Sequence, residues 1–289
     1  IGTCVSAHTL HTSALDLTRM GFECFAVNAH MHLDEASLPA LAEDVRRLMD
    51  ESGCTLSALG YYCNPLLHAA HAHTLHACID AAAAMGVPIV STFSGALTGQ
   101  SVPESMPRFT AVFSELVRHA EDCGVRIALE NCAMGGRWDH TTDNLAFNAS
   151  AWDLLFDAVP SPALGLEWEA THQMVQLVEP LPNLRAYVQK VFHLHGKDAT
   201  IRRDVLARMG INGPEPIVLS RFPGFGDTDW RKIFEILQAN DYAGAVSIES
   251  YHDEIFQREC ELTGQLHALQ YLKWCRGGTF TPDHVFANA

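Results

Sequence analysis

Val191-Phe192-His193-Leu194-His195-Gly196-Lys197-Asp198 reads as a short buried strand that ends abruptly in ionisable groups. Val191, Phe192 and Leu194 form its apolar body. His193 and His195 alternate with Leu194, so on a strand both imidazoles point to one face, and Lys197 follows near the same edge. An apolar body with a chemically loaded C-terminal end is what a barrel strand presents to an active site. Taken alone, a pair of hydrogen-bonded structural histidines before a loop fits equally well, so the flanking chain has to decide.

Working outward, short apolar runs alternate with longer helical patterns. Strands are expected at 1–6, 22–28, 55–63, 87–93, 125–130, 163–169, the quoted stretch and 243–249. Helices are expected through Leu15, Leu17 and Met20 up to Gly21, and at 39–52, 71–85, 106–123, 149–158, around 184–189, 229–238 and 255–275. The connection from Ala199 to Asp227 contains Gly and Pro and is expected to hold only some local helix. Eight strands alternating with eight helices in 289 residues predict a (β/α)8 TIM barrel spanning 1–289 as a single domain. An open doubly wound sheet is the competitor, but no Gly-rich fingerprint follows the first strand.

The ends of the last four strands can then be compared: Glu130-Asn131, Glu167-Trp168-Glu169 with His172 just beyond, His193-Leu194-His195, and Glu249. In a barrel these ends converge at one mouth although they lie far apart in sequence. Three carboxylates and one imidazole make an oxygen-rich site that suits one divalent metal, Mn²⁺ best, with Mg²⁺, Co²⁺ or Zn²⁺ as alternatives. A cation also removes the mutual repulsion that converging carboxylates would suffer. Ion pairing of a strand-end carboxylate with a lysine or arginine explains one such residue, but not four on successive strands.

Composition excludes several classes. Lys and Arg total 19 against 34 Asp and Glu, a net charge of −15, so nucleic acid is not an expected partner. No apolar run approaches the ~20 residues of a membrane span, and no signal-peptide pattern opens the chain. One or more residues are expected to precede Ile1. Nine scattered cysteines, odd in number and without a C-x-x-C pair, read as free thiols in a reducing cytoplasm. The last helix and the segment from Gly277 to Ala289 suggest contact with a second copy, hence a homo-oligomer.

The strand ends, together with Phe222-Pro223-Gly224-Phe225-Gly226-Asp227-Thr228-Asp229-Trp230 and Gly60-Tyr61-Tyr62-Cys63-Asn64-Pro65, resemble the sugar phosphate isomerase/epimerase family of the xylose isomerase-like barrel superfamily, with tagatose 3-epimerase-like relatives. The resemblance covers nearly the whole chain. It implies a small-molecule sugar substrate and a metal held by Glu130, Glu169, His195 and Glu249. Glu130 and Glu249 would double as proton-transfer groups, and His172, Lys197 and Arg221 would contact substrate. The family usually carries Asp-Pro-Ser-His where this chain has Glu169-Ala170-Thr171-His172, and Glu167 on the same face competes for the ligand role. The resemblance implies isomerisation or epimerisation through an enediolate, with β-elimination by the same site as the alternative. An abasic-DNA hydrolase, for which His30 and His32 would be extra ligands, and a non-catalytic sugar-binding subunit are the remaining readings.

The other conspicuous residues read as structural. His68, His71, His73 and His76 suggest a solvated helix start rather than a second metal site. Cys132 reads as a buried small residue, Trp168 as packing, and Phe225 as either packing or a sugar-stacking ring. His193, deeper than His195, reads as a hydrogen-bonded support or a pocket wall.

Overall fold

The computed structural model describes residues 1–10, 19–249 and 253–278. Most of the expected first helix, with Leu15 and Leu17, and nearly all of the C-terminal segment lie outside these residues.

Eight parallel strands close into a barrel: β1 (Gly2–Ser6), β2 (Cys24–His30), β3 (Thr55–Tyr62), β4 (Ile89–Thr92), β5 (Arg126–Glu130), β6 (Leu164–Glu169), β7 (Val191–Gly196) and β10 (Val246–Ile248). Neighbours in sequence are neighbours in space, and β1 closes the ring against β10. Helices pack outside the ring. Leu38–Ser52 turns its Leu41, Val45 and Leu48 face inward and stops at Gly53, whose φ of 72° lies in the left-handed region that glycine reaches without strain. The chain is therefore a (β/α)8 TIM barrel, as its alternating pattern predicts.

Two boundaries differ for identifiable reasons. The helix expected from Met106 begins at Val102, because Ser101 and Glu104 form a reciprocal capping box and Pro103 sits within the first turn. The final helix runs over Glu261–Arg276 rather than from Ile255. Asp253 accepts from the backbone N–H groups of Ile255 and Phe256, both at 2.8 Å, which holds that stretch in a turn.

The connection after β7 contains more than helix. β8 (Asp198–Ile201) pairs antiparallel with β9 (Val218–Arg221), with a short helix Arg203–Met209 between them. Asp198 anchors this ribbon to the barrel. Its buried carboxylate accepts from Ala199 N (2.7 Å), Thr228 N (3.1 Å) and Trp230 Nε1 (3.1 Å). Gly226 is required here: a Cβ at that position would run into the Asp198 carboxylate. The Pro-Gly-x-Gly stretch is thus a wrapping segment around one buried acid.

Candidate metal centre at the barrel mouth

Period-two alternation along the strands decides which side chains enter the barrel. On β6, Glu167 and Glu169 point inward while Trp168 points outward, fully buried, with its Nε1 donating to Asn183 Oδ1 at 3.2 Å. On β7, His193 and His195 share the inward face, and Lys197 continues it. Pairing of β6 with β7 sets Glu167 beside His193 and Glu169 beside His195.

One ligand atom each from Glu130, Glu169, His195 and Glu249 lie within 4.8 Å of one another. His195 Nδ1 is 3.2 Å from Glu130 Oε1, 3.4 Å from Glu169 Oε2 and 4.0 Å from Glu249 Oε2. Among the described residues, neither oxygen of Glu169 nor Nδ1 of His195 has a hydrogen-bond partner, although all three atoms are buried. Buried polar atoms are almost always satisfied, so three orphans converging on one point fit a cation rather than an apolar core. Three carboxylate oxygens and one imidazole nitrogen form a donor set that a Mn²⁺-class ion accepts.

Glu167 has the opposite environment. It accepts from Tyr62 Oη and Ser91 Oγ, each at 2.7 Å, and meets His193 Nδ1 at 2.6 Å and His195 Nε2 at 3.2 Å. His193 Nε2 in turn lies 3.0 Å from Ser247 Oγ. With its oxygens engaged, Glu167 holds the His195 ring with Nδ1 directed at the cluster, the supporting carboxylate that metal-binding histidines commonly carry. Burial alone would raise the Glu167 carboxyl, but the charges of His195 and His193 outweigh it and hold it well below the usual range. Glu169 is also held low: burial opposes ionisation, and His172 and Lys197 override it. Burial raises the Glu130 carboxyl, against the pull of His195 and His172.

Two cationic donors border the cluster. Lys197 Nζ donates to Glu249 Oε2 at 2.7 Å and lies 3.9 Å from Glu169 Oε1. His172 Nε2 is 3.4 Å from Glu169 Oε1; burial works against its charged form, but Glu169 and Cys132 outweigh that and push it up to about 10. Both residues line a cavity of about 490 Å³ together with Glu130 and Glu249. Tyr62, Phe93 and Met134 form its less polar wall. A larger cavity of about 770 Å³ opens at the opposite end of the barrel, but among the described residues its lining includes no histidine.

The structure does not bring Arg221 to this cavity. Its Nε faces Asp253 Oδ2 at 3.3 Å, and its guanidinium lies over the Phe225 ring. Phe225 itself packs on Phe256, 4.6 Å between ring centroids. Cys132 is half-buried and lines the cavity rather than being the buried small residue expected, because β5 ends at Glu130 and the chain turns along the mouth. His30 lines the cavity edge-on to Phe93, and neither it nor His32 joins a ligand cluster among the described residues.

Two positioning residues had no signal of their own in the sequence. Asn131 donates to Glu169 O (3.0 Å) and accepts from Glu169 N (2.9 Å), clamping the end of β6 to that of β5. Asn144 donates to the carbonyls of Glu130 (2.8 Å) and Cys132 (2.7 Å). The adjacency of Asn131 to Glu130 was the one hint available.

A (β/α)8 barrel that gathers three glutamates and a histidine at one mouth defines the class. Residues 15–274 match the model of the xylose isomerase-like TIM barrel family, and the chain belongs to that family. It is similar to the inosose dehydratase of Clostridium beijerinckii, 28% identical over 169 residues, covering 55% of this chain and 51% of that protein. The matches to the first curated relatives span 35% to 51% of those proteins' length. Among solved structures it resembles a xylose isomerase domain protein from Planctomyces limnophilus, with a TM-score of 0.72 and 17% identity over 94% of this chain and 96% of that one. It also resembles the 3-keto-D-glucoside 4-epimerase YcjR of E. coli, with a TM-score of 0.71 and 15% identity over 95% and 98%. At these identities the structural likeness carries the fold.

Proposed function

We propose that this protein is a divalent-metal-dependent isomerase or epimerase that moves a proton at a carbon next to a carbonyl of a keto-sugar or sugar derivative. The observation that carries the reading is the convergence of Glu130, Glu169, His195 and Glu249, with both Glu169 oxygens and His195 Nδ1 buried and without a hydrogen-bond partner among the described residues. Those four residues would hold the ion, Mn²⁺ being the best match to the donor set. When bound, such an ion supplies a Lewis acid for substrate oxygens and a template for their placement. Glu249 removes the proton, leaving an enediolate on the substrate. Glu130 returns a proton to the opposite face of that carbon, or to the neighbouring carbon in an isomerisation. His172 and Lys197 bind the substrate oxygens and donate to them as charge develops. The name of the E. coli structural neighbour, a sugar epimerase, supports the same chemistry.

β-Elimination is the second reading, favoured by two observations. The Clostridium relative is named a dehydratase, and two cationic donors line the cavity, Lys197 beside the proposed base and His172 beside Glu169, either of which could protonate a leaving hydroxyl. Solvent-deuterium exchange with a keto-sugar panel, on protein whose metal content is measured by mass spectrometry, separates the two. Deuterium entering recovered sugar without loss of a substituent supports epimerisation or isomerisation, whereas loss of water supports the lyase. Glu249→Gln is expected to lower exchange by about 10²–10⁴-fold, and unchanged turnover would remove Glu249 from the mechanism.

A further inference from the structure

Away from the mouth, helix Ala69–Met85 packs beside helix Val102–Asp122, and their facing turns carry a second group of metal-type ligands. His76 and Asp80 are spaced i, i+4 on the first helix, and His119 and Cys123 have the same spacing at the end of the second, so each pair shares one helix face. His119 Nε2 lies 2.8 Å from Asp80 Oδ1, Cys123 Sγ lies 3.7 Å from Asp80 Oδ1, and Cys123 Sγ lies 3.8 Å from His119 Nε2. The His76 ring sits 4.9 Å from the His119 ring, between centroids.

We propose that this helix pair binds one Zn²⁺-class ion through Asp80, His119 and Cys123, with the fourth position open to water. Tetrahedral zinc, with bonds of about 2.0 Å to N and O and about 2.3 Å to S, sets ligand atoms about 3.3–3.6 Å apart. The three separations observed bracket those edges, so metal entry needs shifts of a few tenths of an ångström. A nitrogen, oxygen and sulfur donor set suits a borderline ion such as Zn²⁺ or Co²⁺ better than Mg²⁺. Cys123 caps the C-terminal end of its helix, where the unpaired carbonyls favour a cation. The thiol, His76 and His119 are half-buried and Asp80 is exposed, which gives an ion a route in and the thiol proton a route out to solvent as the metal–sulfur bond forms. Cys123 lies just before β5, at the end of the barrel opposite the glutamate cluster, so the two sites are independent.

Co²⁺ titration of the reduced full-length chain tests this, because a thiolate ligand adds a sulfur-to-cobalt charge-transfer band in the near ultraviolet. The glutamate cluster contains no sulfur. The expected result is one equivalent of that band in the wild type, retained in Glu169→Gln and in Cys132→Ser and lost in Cys123→Ser. His119→Gln is expected to weaken Zn²⁺ competition for the site by about 10- to 100-fold or more. Absence of the band in the wild type, its survival in Cys123→Ser, or its loss in Cys132→Ser would overturn the proposal and leave Asp80 and His119 as an ordinary surface ion pair.

Discussion

Glu167 and Glu169 stand two residues apart on one strand face, and isosteric Gln substitutions distinguish their roles. Glu167 accepts two hydroxyl hydrogen bonds at 2.7 Å and meets two imidazoles at 2.6 and 3.2 Å. Glu167→Gln puts an NH₂ where an acceptor stood and leaves the histidines without their counter-charge. Breaking one side of a buried pair costs about 3–5 kcal/mol. At about 2–4 °C per kcal/mol for a chain of roughly this size, Tm falls by ~6–20 °C whether metal is present or not. Among the described residues, the Glu169 carboxylate has no hydrogen bond to lose. Its substitution removes the counter-charge that faces His172 and Lys197 and, with metal present, also weakens the cation's site. Mn²⁺ at 100 times its Kd stabilises a wild-type site by about 2.7 kcal/mol, and a tenfold weaker site by about 1.4 kcal/mol. Scanning calorimetry with Mn²⁺ and after chelation reads both effects. Glu167→Gln is expected to lower Tm in both conditions, and Glu169→Gln to lose at least half of the metal-dependent rise. If instead Glu167→Gln abolished the rise at unchanged chelated Tm, while Glu169→Gln kept it, the assignment of supporting and metal-facing carboxylates would be reversed.

Three further outcomes follow from the same geometry. Asn131→Ala removes both hydrogen bonds to the Glu169 backbone, so it should cost about 1–3 kcal/mol in urea denaturation and weaken Mn²⁺ binding by about 10- to 100-fold in calorimetric titration. Burial raises the Asp198 carboxyl to about 6 despite its three donors. The folded protein therefore holds that proton more tightly than the unfolded chain, and this contribution is full below pH ~4 and lost as pH rises to 6. With ~1.4 kcal/mol per pKa unit, the wild type should lose about 3 kcal/mol relative to Asp198→Asn across that window, and parallel pH–stability curves would refute it. Gly226→Ala forces a Cβ into the Asp198 carboxylate and is expected to cost about 1–3 kcal/mol, read as a lower urea midpoint at unchanged slope.

Much of the site was legible because barrel strands advertise themselves twice, by an apolar body and by a polar end. Glu130, Glu169, His195 and Glu249 could be placed at one mouth before any coordinate was known, since strand order alone brings the C-terminal ends of β5, β6, β7 and β10 together. The β8–β9 ribbon was not legible. Its partners, Asp198 and Arg221, stand far apart in sequence, with a helix between them and no tight-turn signature. Arg221 was placed near substrate by its neighbourhood in sequence, but the ribbon and Asp253 direct it elsewhere.

Periodicity and residue type alone determined the barrel, the inward face of each strand and the kinds of ligand at its mouth, because alternation along a strand is a local property. Depth within the barrel belongs to tertiary structure. Strand stagger sets Glu167 among Tyr62, Ser91, His193 and His195, and one pleat further on leaves the Glu169 carboxylate with no hydrogen-bond partner among the described residues. The same division applies to the facing turns of the two outer helices. The i, i+4 spacing of His119 with Cys123 is in the sequence, but only helix packing brings Asp80 of the neighbouring helix within reach of the same ion.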